Sequence, residues 1–171
     1  MKQLLTILVI FSITSVLFVA CGEKASESGT NTATETKSTF DLAAVKKVVD
    51  STNAVFGSMI SKGDSVGLAS LYTSDAKFMG EHMPTASGRN AIQAAFAGLF
   101  AAMGTPGLTL TSNDVWGTEE LVTEVGSYTM TDKSGKEIDK GKYIDLWKME
   151  DGKWKICRDI YNSDNPPPPS K

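Results

Sequence analysis

The first half of the chain carries apolar residues at spacings of three and four, a pattern typical of amphipathic helices. Between residues 41 and 61 these positions form one apolar stripe, and Asp41 precedes the stripe where an N-cap side chain is favoured. Gly63 is predicted to end this helix, and Asp64 to cap a short second helix over "SVGLASLYT". The segment "RNAIQAAFAGLFAAMG" predicts a third helix whose apolar residues lie on its buried side.

The second half has the composition of β-strands. Four segments separated by glycine-containing turns follow the helices: "LTLTSNDVWG", "ELVTEVGSYTMT", "EIDKGKYIDLWKM" and "KWKICRDIYNS". A shorter, earlier strand is predicted over "DAKFMG". Because helices come first and an antiparallel meander follows, we predict an α+β fold with the helices packed on one face of a curved sheet.

The closing hairpin places a polar pair among aromatic residues. If Asp151-Gly152 forms a two-residue turn, facing residues have numbers that sum to 303, and Asp145 faces Arg158. The same face then carries large apolar or aromatic residues, namely Tyr143, Trp147, Met149, Trp154, Ile156 and Ile160. Such an ion pair either lines a wet or ligand-filled cavity or is a half-exposed salt bridge that contributes under about 1 kcal/mol.

The ends of the chain differ from the middle in composition. Residues 1–20 contain one lysine before an apolar stretch, as in a secretory signal. The position of Cys21 makes this segment resemble a bacterial lipoprotein signal, which implies export and anchoring to a membrane through a lipidated cysteine. An ordinary signal peptide or an uncleaved anchor is the alternative. Residues 21–39 are predicted to form the acylated cysteine and a flexible linker, residues 40–165 one domain, and residues 166–171 a proline-rich tail.

Charge and cysteine content narrow the expected partners. The formal net charge is −3 and no basic cluster is present, so we expect no nucleic-acid partner. If Cys21 carries lipid, Cys157 is left without a disulfide partner. The sequence shows neither the ligand spacing of a metal site nor a glycine-rich phosphate loop, and we expect no metal and no cofactor. Membrane contact is expected through the lipid alone.

Several segments together resemble one known family. These are "LYTSDAKF", "GRNAI" and the closing "KYIDLWKMEDGKWKICRDIYNSD", in which Trp147, Gly152 and Trp154 form the most specific piece. Over residues 41–164 the chain resembles the nuclear-transport-factor-2-like superfamily, and within it the SnoaL-like members, whose relatives include polyketide cyclases and ketosteroid isomerases. The resemblance implies a cone: a strongly bent sheet wrapped over about three helices, with a pocket at the wide end, commonly in a dimer.

Two groups of residues are candidates for a site in this pocket. For proton transfer the candidates are Asp145, Asp75 and His82; the alternatives are that Asp75 caps a turn and that His82, a lone loop histidine, is solvated. For ligand binding the candidates are Tyr72, Tyr143, Asp145, Trp147 and Arg158. Cys157 has no neighbouring base in the predicted sheet, so we do not expect it to be a nucleophile.

Three functions fit this pattern. The first is an exported, lipid-anchored domain that binds a small organic molecule in an aromatic pocket. The second is an enzyme of the isomerase, dehydratase or cyclase kind, in which an aspartate or His82 transfers a proton. The third is an assembly module of the cell envelope. The outer sheet face, which is predicted to carry Ile144, Leu146 and Tyr161, is apolar enough to form a homodimer interface.

Overall fold

The computed structural model describes residues 40–166 of the 171-residue chain. Its helices are α1 (Leu42–Lys62), α2 (Ser65–Ser70) and α3 (Arg89–Met103). Its strands are β1 (Tyr72–Met79), β2 (Ala86–Ser87), β3 (Gly107–Gly117), β4 (Val122–Thr131), β5 (Glu137–Glu150) and β6 (Lys153–Ser163).

The helix boundaries follow the capping residues that the sequence predicts. The Asp41 side chain accepts hydrogen bonds from the first backbone N–H groups of α1, at 2.9 and 3.2 Å. Gly63 ends α1 in the left-handed conformation, with φ 70°, which costs glycine little. The Asp64 side chain accepts from the backbone N–H of Gly67 at 2.8 Å and caps α2.

The second helix is shorter than its sequence pattern predicts. It ends at Ser70, and Tyr72 already opens β1, three residues before the predicted strand. The cause is a contact with β6, because the backbone N–H of Ile156 donates to the carbonyl of Leu71 at 3.0 Å. This hydrogen bond brings the backbone at Leu71 into the sheet before the predicted end of α2, and the Tyr72 side chain points into the interior.

The strands form one six-stranded sheet in the order β2-β1-β6-β5-β4-β3. Only the β1–β6 pair is parallel among these strands, and the others are antiparallel. One face, which we call the inner face, packs against the helices, and the opposite face is the outer face. The core joins both layers through Val49, Leu68, Ile92, Val122, Trp147 and Ile156. The predicted α+β class, with a curved sheet over N-terminal helices, is confirmed.

The predicted pairing of Asp145 with Arg158 is wrong. The turn itself is as expected, with φ 53° at Asp151 and 72° at Gly152, and Trp147 faces Ile156. Beyond this pair the register shifts by one residue, so Asp145 faces Asp159 instead. The extra residue is Cys157, and a β-bulge of this kind sends all following side chains to the opposite face.

The bulge changes which side chains of β6 lie inside. Asp159 is buried and Tyr161 packs against the core, whereas Arg158 and Ile160 move to the outer face. Tyr143 correspondingly faces Tyr161, and the predicted pairing of Tyr143 with Ile160 is wrong. Turning Arg158 outward avoids burying a guanidinium group, which costs several kcal/mol when it lacks a full set of partners.

Candidate functional site

A cavity of about 80 Å³ lies between the helices and the inner face of the sheet. Its walls are largely aromatic and apolar, with rings from Phe56, Phe78, Phe96, Phe100, Tyr128 and Tyr161. Several of these rings stack on each other, Phe78 with Phe96 at 4.9 Å and with Tyr161 at 5.9 Å between centroids. The cavity also contacts the polar ends of Tyr143, Asp145 and Asp159.

Three buried carboxyl groups lie side by side across the sheet. Glu124 on β4 faces Asp145 on β5, and Asp145 faces Asp159 on β6. The three residues, which we call the acid row, are 0%, 4% and 6% exposed. Charged groups are rarely buried without opposite charges. The acid row is therefore the most unusual feature of the interior.

Glu124 is surrounded by hydrogen-bond donors. One carboxylate oxygen accepts from Asn53 Nδ2 at 2.7 Å, from the Ser112 hydroxyl at 2.6 Å and from the Tyr143 hydroxyl at 2.7 Å. The other accepts from Trp147 Nε1 at 3.1 Å. These four donors replace the water that a carboxylate loses on burial.

Asp159 has a shorter list of partners. The Tyr72 hydroxyl donates to its Oδ2 at 2.5 Å, and its side chain also accepts a hydrogen bond from Asp145. Burial raises the pKa of Asp159 from 3.8 to about 6, and these two hydrogen bonds keep the pKa from rising further. The group therefore titrates close to neutral pH.

Asp145 holds the proton of the pair. Burial raises the pKa of Asp145 well above its ordinary value, and the negative charges of Asp159 and Glu124 raise it further. Two carboxyl groups can share a hydrogen bond only when one of them is protonated, so Asp145 donates and Asp159 accepts. The Oδ1 atom of Asp145 is buried and has no hydrogen-bond partner in the described structure.

The tyrosines around the acid row stay protonated. Burial, followed by the nearby carboxylates, raises the pKa of Tyr72 and of Tyr143 well above the ordinary value. Both hydroxyls therefore keep their protons near neutral pH and serve as donors to Asp159 and Glu124. They hold the carboxyl groups in place.

The structure brings together four of the predicted ligand-binding residues. Tyr143 and Asp145 line the cavity. Tyr72 and Trp147 are fully buried and contact the acid row through the Tyr72 hydroxyl and the indole N–H. The prediction that these residues contact a ligand remains a prediction, and only the first two of them reach the cavity directly.

The other predicted residues lie away from the cavity. The Asp75 side chain is exposed and accepts from the Thr73 hydroxyl at 2.9 Å. The His82 imidazole is 71% exposed and lies 3.6 Å from a Glu81 carboxylate oxygen. Arg158 lies on the outer face, where its guanidinium contacts the backbone carbonyls of Asp75 and Cys157. None of these three joins the acid row.

The sequence predictions missed Glu124, Asp159 and the inward position of Tyr161. Glu124 carried a readable signal, because it alternates with Val122, Gly126 and Tyr128 on a face that is otherwise apolar. Asp159 and Tyr161 were assigned to the outer face, since the register was extended past Cys157 without a bulge.

The chemistry available at this site is that of a carboxylic acid and its conjugate base in an apolar cavity. Among the described residues that line the cavity, none is lysine, arginine or histidine. Within residues 40–166, no group of three or more histidine, cysteine or carboxylate side chains is arranged to hold a metal ion. The site can therefore bind an uncharged or cationic organic group and exchange a proton with it.

Solved structures with the same arrangement identify the class of fold. An NTF2-like protein with a cystatin-like fold from Novosphingobium aromaticivorans has a TM-score of 0.62 and 20% identity, over 70% of this chain and 82% of that chain. A domain of unknown function with a cystatin-like fold from Nostoc punctiforme has a TM-score of 0.66 and 13% identity, over 74% and 82%. A ketosteroid isomerase-like protein from Erwinia carotovora atroseptica has a TM-score of 0.58 and 18% identity, over 73% and 97%. These likenesses define the fold, which is the cone of NTF2-like proteins.

A family model narrows this class further. The model of the SnoaL-like domain matches residues 53–156, which is more than half of the chain. The chain belongs to the SnoaL-like family. No curated protein matches it. The predicted membership of the SnoaL-like family is thus confirmed. The predicted lipoprotein signal lies outside the described residues.

Proposed function

We propose that this chain binds a small organic molecule in the cavity and that the Asp145–Asp159 pair transfers a proton to or from it. One observation carries the proposal: two buried carboxyl groups that face each other across the sheet, Asp145 and Asp159, line an otherwise apolar, aromatic cavity. An apolar cavity with a few convergent polar groups is typical of ligand sites. Perturbed pKa values in such a cavity are typical of acid–base catalysts.

Each member of the site has a distinct role in this proposal. Asp145 is the acid and contacts the ligand. Asp159 is the base that accepts a proton from the ligand, since burial raises the pKa of Asp159 to about 6. Tyr72 is a positioning residue that donates to Asp159. Glu124 fixes the Tyr143 hydroxyl and the Trp147 indole through hydrogen bonds of 2.7 and 3.1 Å.

The experiment begins with the ligand. The full chain is extracted from its native membranes, and native mass spectrometry identifies the molecule that co-purifies. The same molecule is then incubated with the protein in D₂O, and deuterium incorporation is followed by NMR. We expect the exchange rate to fall at least about a hundredfold in Asp145→Asn and in Asp159→Asn, because each removes one partner of the proton transfer.

Asp75→Asn is the matched control, since it makes the same chemical change at an exposed position outside the cavity. It is expected to leave both binding and exchange unchanged. Unchanged exchange in both pair variants would disprove proton transfer and leave a binding function. A cavity that carries no molecule and binds none would disprove both.

The expectations for the rest of the chain remain proposals. Cys21, which lies outside the described residues, is proposed to carry lipid after export, so that the domain is anchored to the outside of a bacterial membrane. None of the helices in the described part of the chain is long and apolar enough to cross a membrane.

A homodimer through the outer sheet face is also proposed. Val125, Ile144 and Ile160 face each other in one row across β4, β5 and β6 on that side. Ile144 is 45% exposed and Ile160 is 49% exposed, which is unusual for neighbouring isoleucines on a sheet. Tyr161, which the sequence placed on this face, lies on the inner face instead.

A further inference from the structure

The hydrogen-bond donors in and around the acid row are already bonded to protein acceptors. The Tyr72 hydroxyl donates to Asp159, and the Tyr143 hydroxyl donates to Glu124. The Trp147 indole and the Asn53 amide also donate to Glu124. Asp145 donates its proton to Asp159. Neither the acid row nor these surrounding donors can therefore give a hydrogen bond to a ligand without breaking an existing one.

What remains on the cavity side is an acceptor. The Asp145 carboxyl group lines the cavity and gives its proton to Asp159, so its other oxygen carries no hydrogen and can only accept. Leaving such an atom unsatisfied in an apolar surrounding costs about 1–3 kcal/mol. A ligand that brings an N–H or O–H group to this atom recovers that free energy, whereas a carbonyl or ether oxygen would place two acceptors against each other.

The carboxyl groups beside the cavity favour a cationic donor on the ligand over an anionic group. Three carboxyl groups lie in the row, and among the described residues lining the cavity there is no lysine, arginine or histidine to balance them. A carboxylate or phosphate ligand would meet negative charge in a region of low polarity, where repulsion is strong. A cationic donor is attracted, and the faces of the surrounding aromatic rings attract a cation as well.

We propose that the ligand presents a protonated amine to the Asp145 carboxyl group, on an apolar body that fills the aromatic part of the cavity. This inference rests on the proposed function and names the class of its ligand. The ammonium group then lies against the Asp145–Asp159 pair.

The test compares four probes that share one phenylethyl body. Phenethylamine is a cationic donor, phenethyl alcohol a neutral donor, benzylacetone a neutral acceptor and hydrocinnamate an anion. The full chain is reconstituted in lipid nanodiscs and titrated calorimetrically with each probe. We expect the amine to bind about tenfold more tightly than the alcohol and about a hundredfold more tightly than the ketone or the carboxylate.

Variants separate the role of Asp145 from general damage to the cavity. Asp145→Leu removes both carboxyl oxygens, so the affinity for phenethylamine should fall at least about tenfold, while that for benzylacetone rises because its carbonyl no longer meets an acceptor. A collapsed cavity would weaken both probes together. Asp75→Asn, at an exposed position, should change neither affinity.

Each remaining outcome overturns the inference in a distinguishable way. If the ketone or the carboxylate binds as tightly as the amine, the amine assignment is wrong and the binding function stands. If the alcohol equals the amine, the ligand is a neutral donor. If no probe binds up to about 10 mM, a free energy of about −2.7 kcal/mol, the binding function fails with it.

Discussion

Glu124, Asp145 and Asp159 are neighbours with different surroundings. Glu124 has four donors around it, Asp159 has the Tyr72 hydroxyl and the Asp145 proton, and Asp145 has an oxygen with no partner. Since burial disfavours the charged form of a carboxyl group, the least solvated member of the row keeps its proton. Three neighbouring carboxyl groups therefore include one that four donors hold in place, one base and one acid.

This arrangement predicts an unusual dependence of stability on pH. In the folded state the pKa of Asp159 is raised from 3.8 to about 6, so the folded state binds this proton more tightly than the unfolded state. The contribution to the free energy of unfolding is full below pH 4 and is lost as pH rises through about 6. The shift of Asp159 alone corresponds to roughly 3 kcal/mol. Denaturant titrations between pH 4 and 7 should show this decline.

The Asp145→Asn variant checks that the decline comes from this pair. Asparagine can donate an N–H to Asp159 at any pH, so the variant should be more stable than the natural protein at pH 7, with a gap of a few kcal/mol that closes toward pH 4. Asp75→Asn should retain the decline. A pair variant with the same slope as the natural protein would contradict the shared proton.

At the level of elements, one extra residue decides the composition of the cavity. The bulge at Cys157 turns Asp159 and Tyr161 inward and Arg158 outward. Gly126 on β4 contributes in another way, because a Cβ there would lie 2.2 Å from the Tyr143 ring. The absence of that Cβ lets the Tyr143 hydroxyl reach Glu124 at 2.7 Å.

The space around two helical glycines predicts opposite effects of replacing each with alanine. A Cβ on Gly57 would lie 2.4 Å from the Leu108 carbonyl oxygen, so Gly57→Ala should lower the free energy of unfolding by about 1–3 kcal/mol. Gly98 in α3 has no atom within 4 Å of a built Cβ, so Gly98→Ala should raise it by up to about 1 kcal/mol. Thermal unfolding monitored by circular dichroism measures both. Equal effects would show that the α1–β3 contact is loose.

For the whole molecule, the sheet separates the two proposed functions by face. The inner face holds the cavity and the acid row, and the outer face carries the Val125–Ile144–Ile160 row. Side chains alternate along a strand, so these two surfaces are built from the same three strands without competing for positions. A partner on the outer face would leave the inner residues untouched.

The proposed homodimer gives a prediction at this scale. Ile144→Glu places a charge in the centre of the outer row and should shift the protein from dimer to monomer in analytical ultracentrifugation at about 100 μM. Val66→Glu, on α2 at a side chain that is 63% exposed, makes a similar change away from the sheet and should leave the dimer intact. A natural protein that sediments as a monomer would disprove this interface.

Much of the architecture was predictable because its causes are local. Spacings of three and four specified α1 and α3, capping aspartates specified where α1 and α2 begin, and the Asp151-Gly152 dipeptide specified the last hairpin. The inward position of Tyr143, Asp145 and Trp147 also followed from alternation along one strand.

The partners of those residues were decided by the tertiary structure. No local pattern marks Cys157 as a bulge, because the bulge depends on what each register buries. One alignment puts a guanidinium inside, and the other puts Asp159 inside beside the Tyr72 hydroxyl and turns Arg158 outward. That difference in burial involves residues far apart along the chain. The sequence by itself therefore determined most of the elements and one acid of the site, and the pairing of β5 with β4 and β6 decided that this acid faces two carboxyl groups.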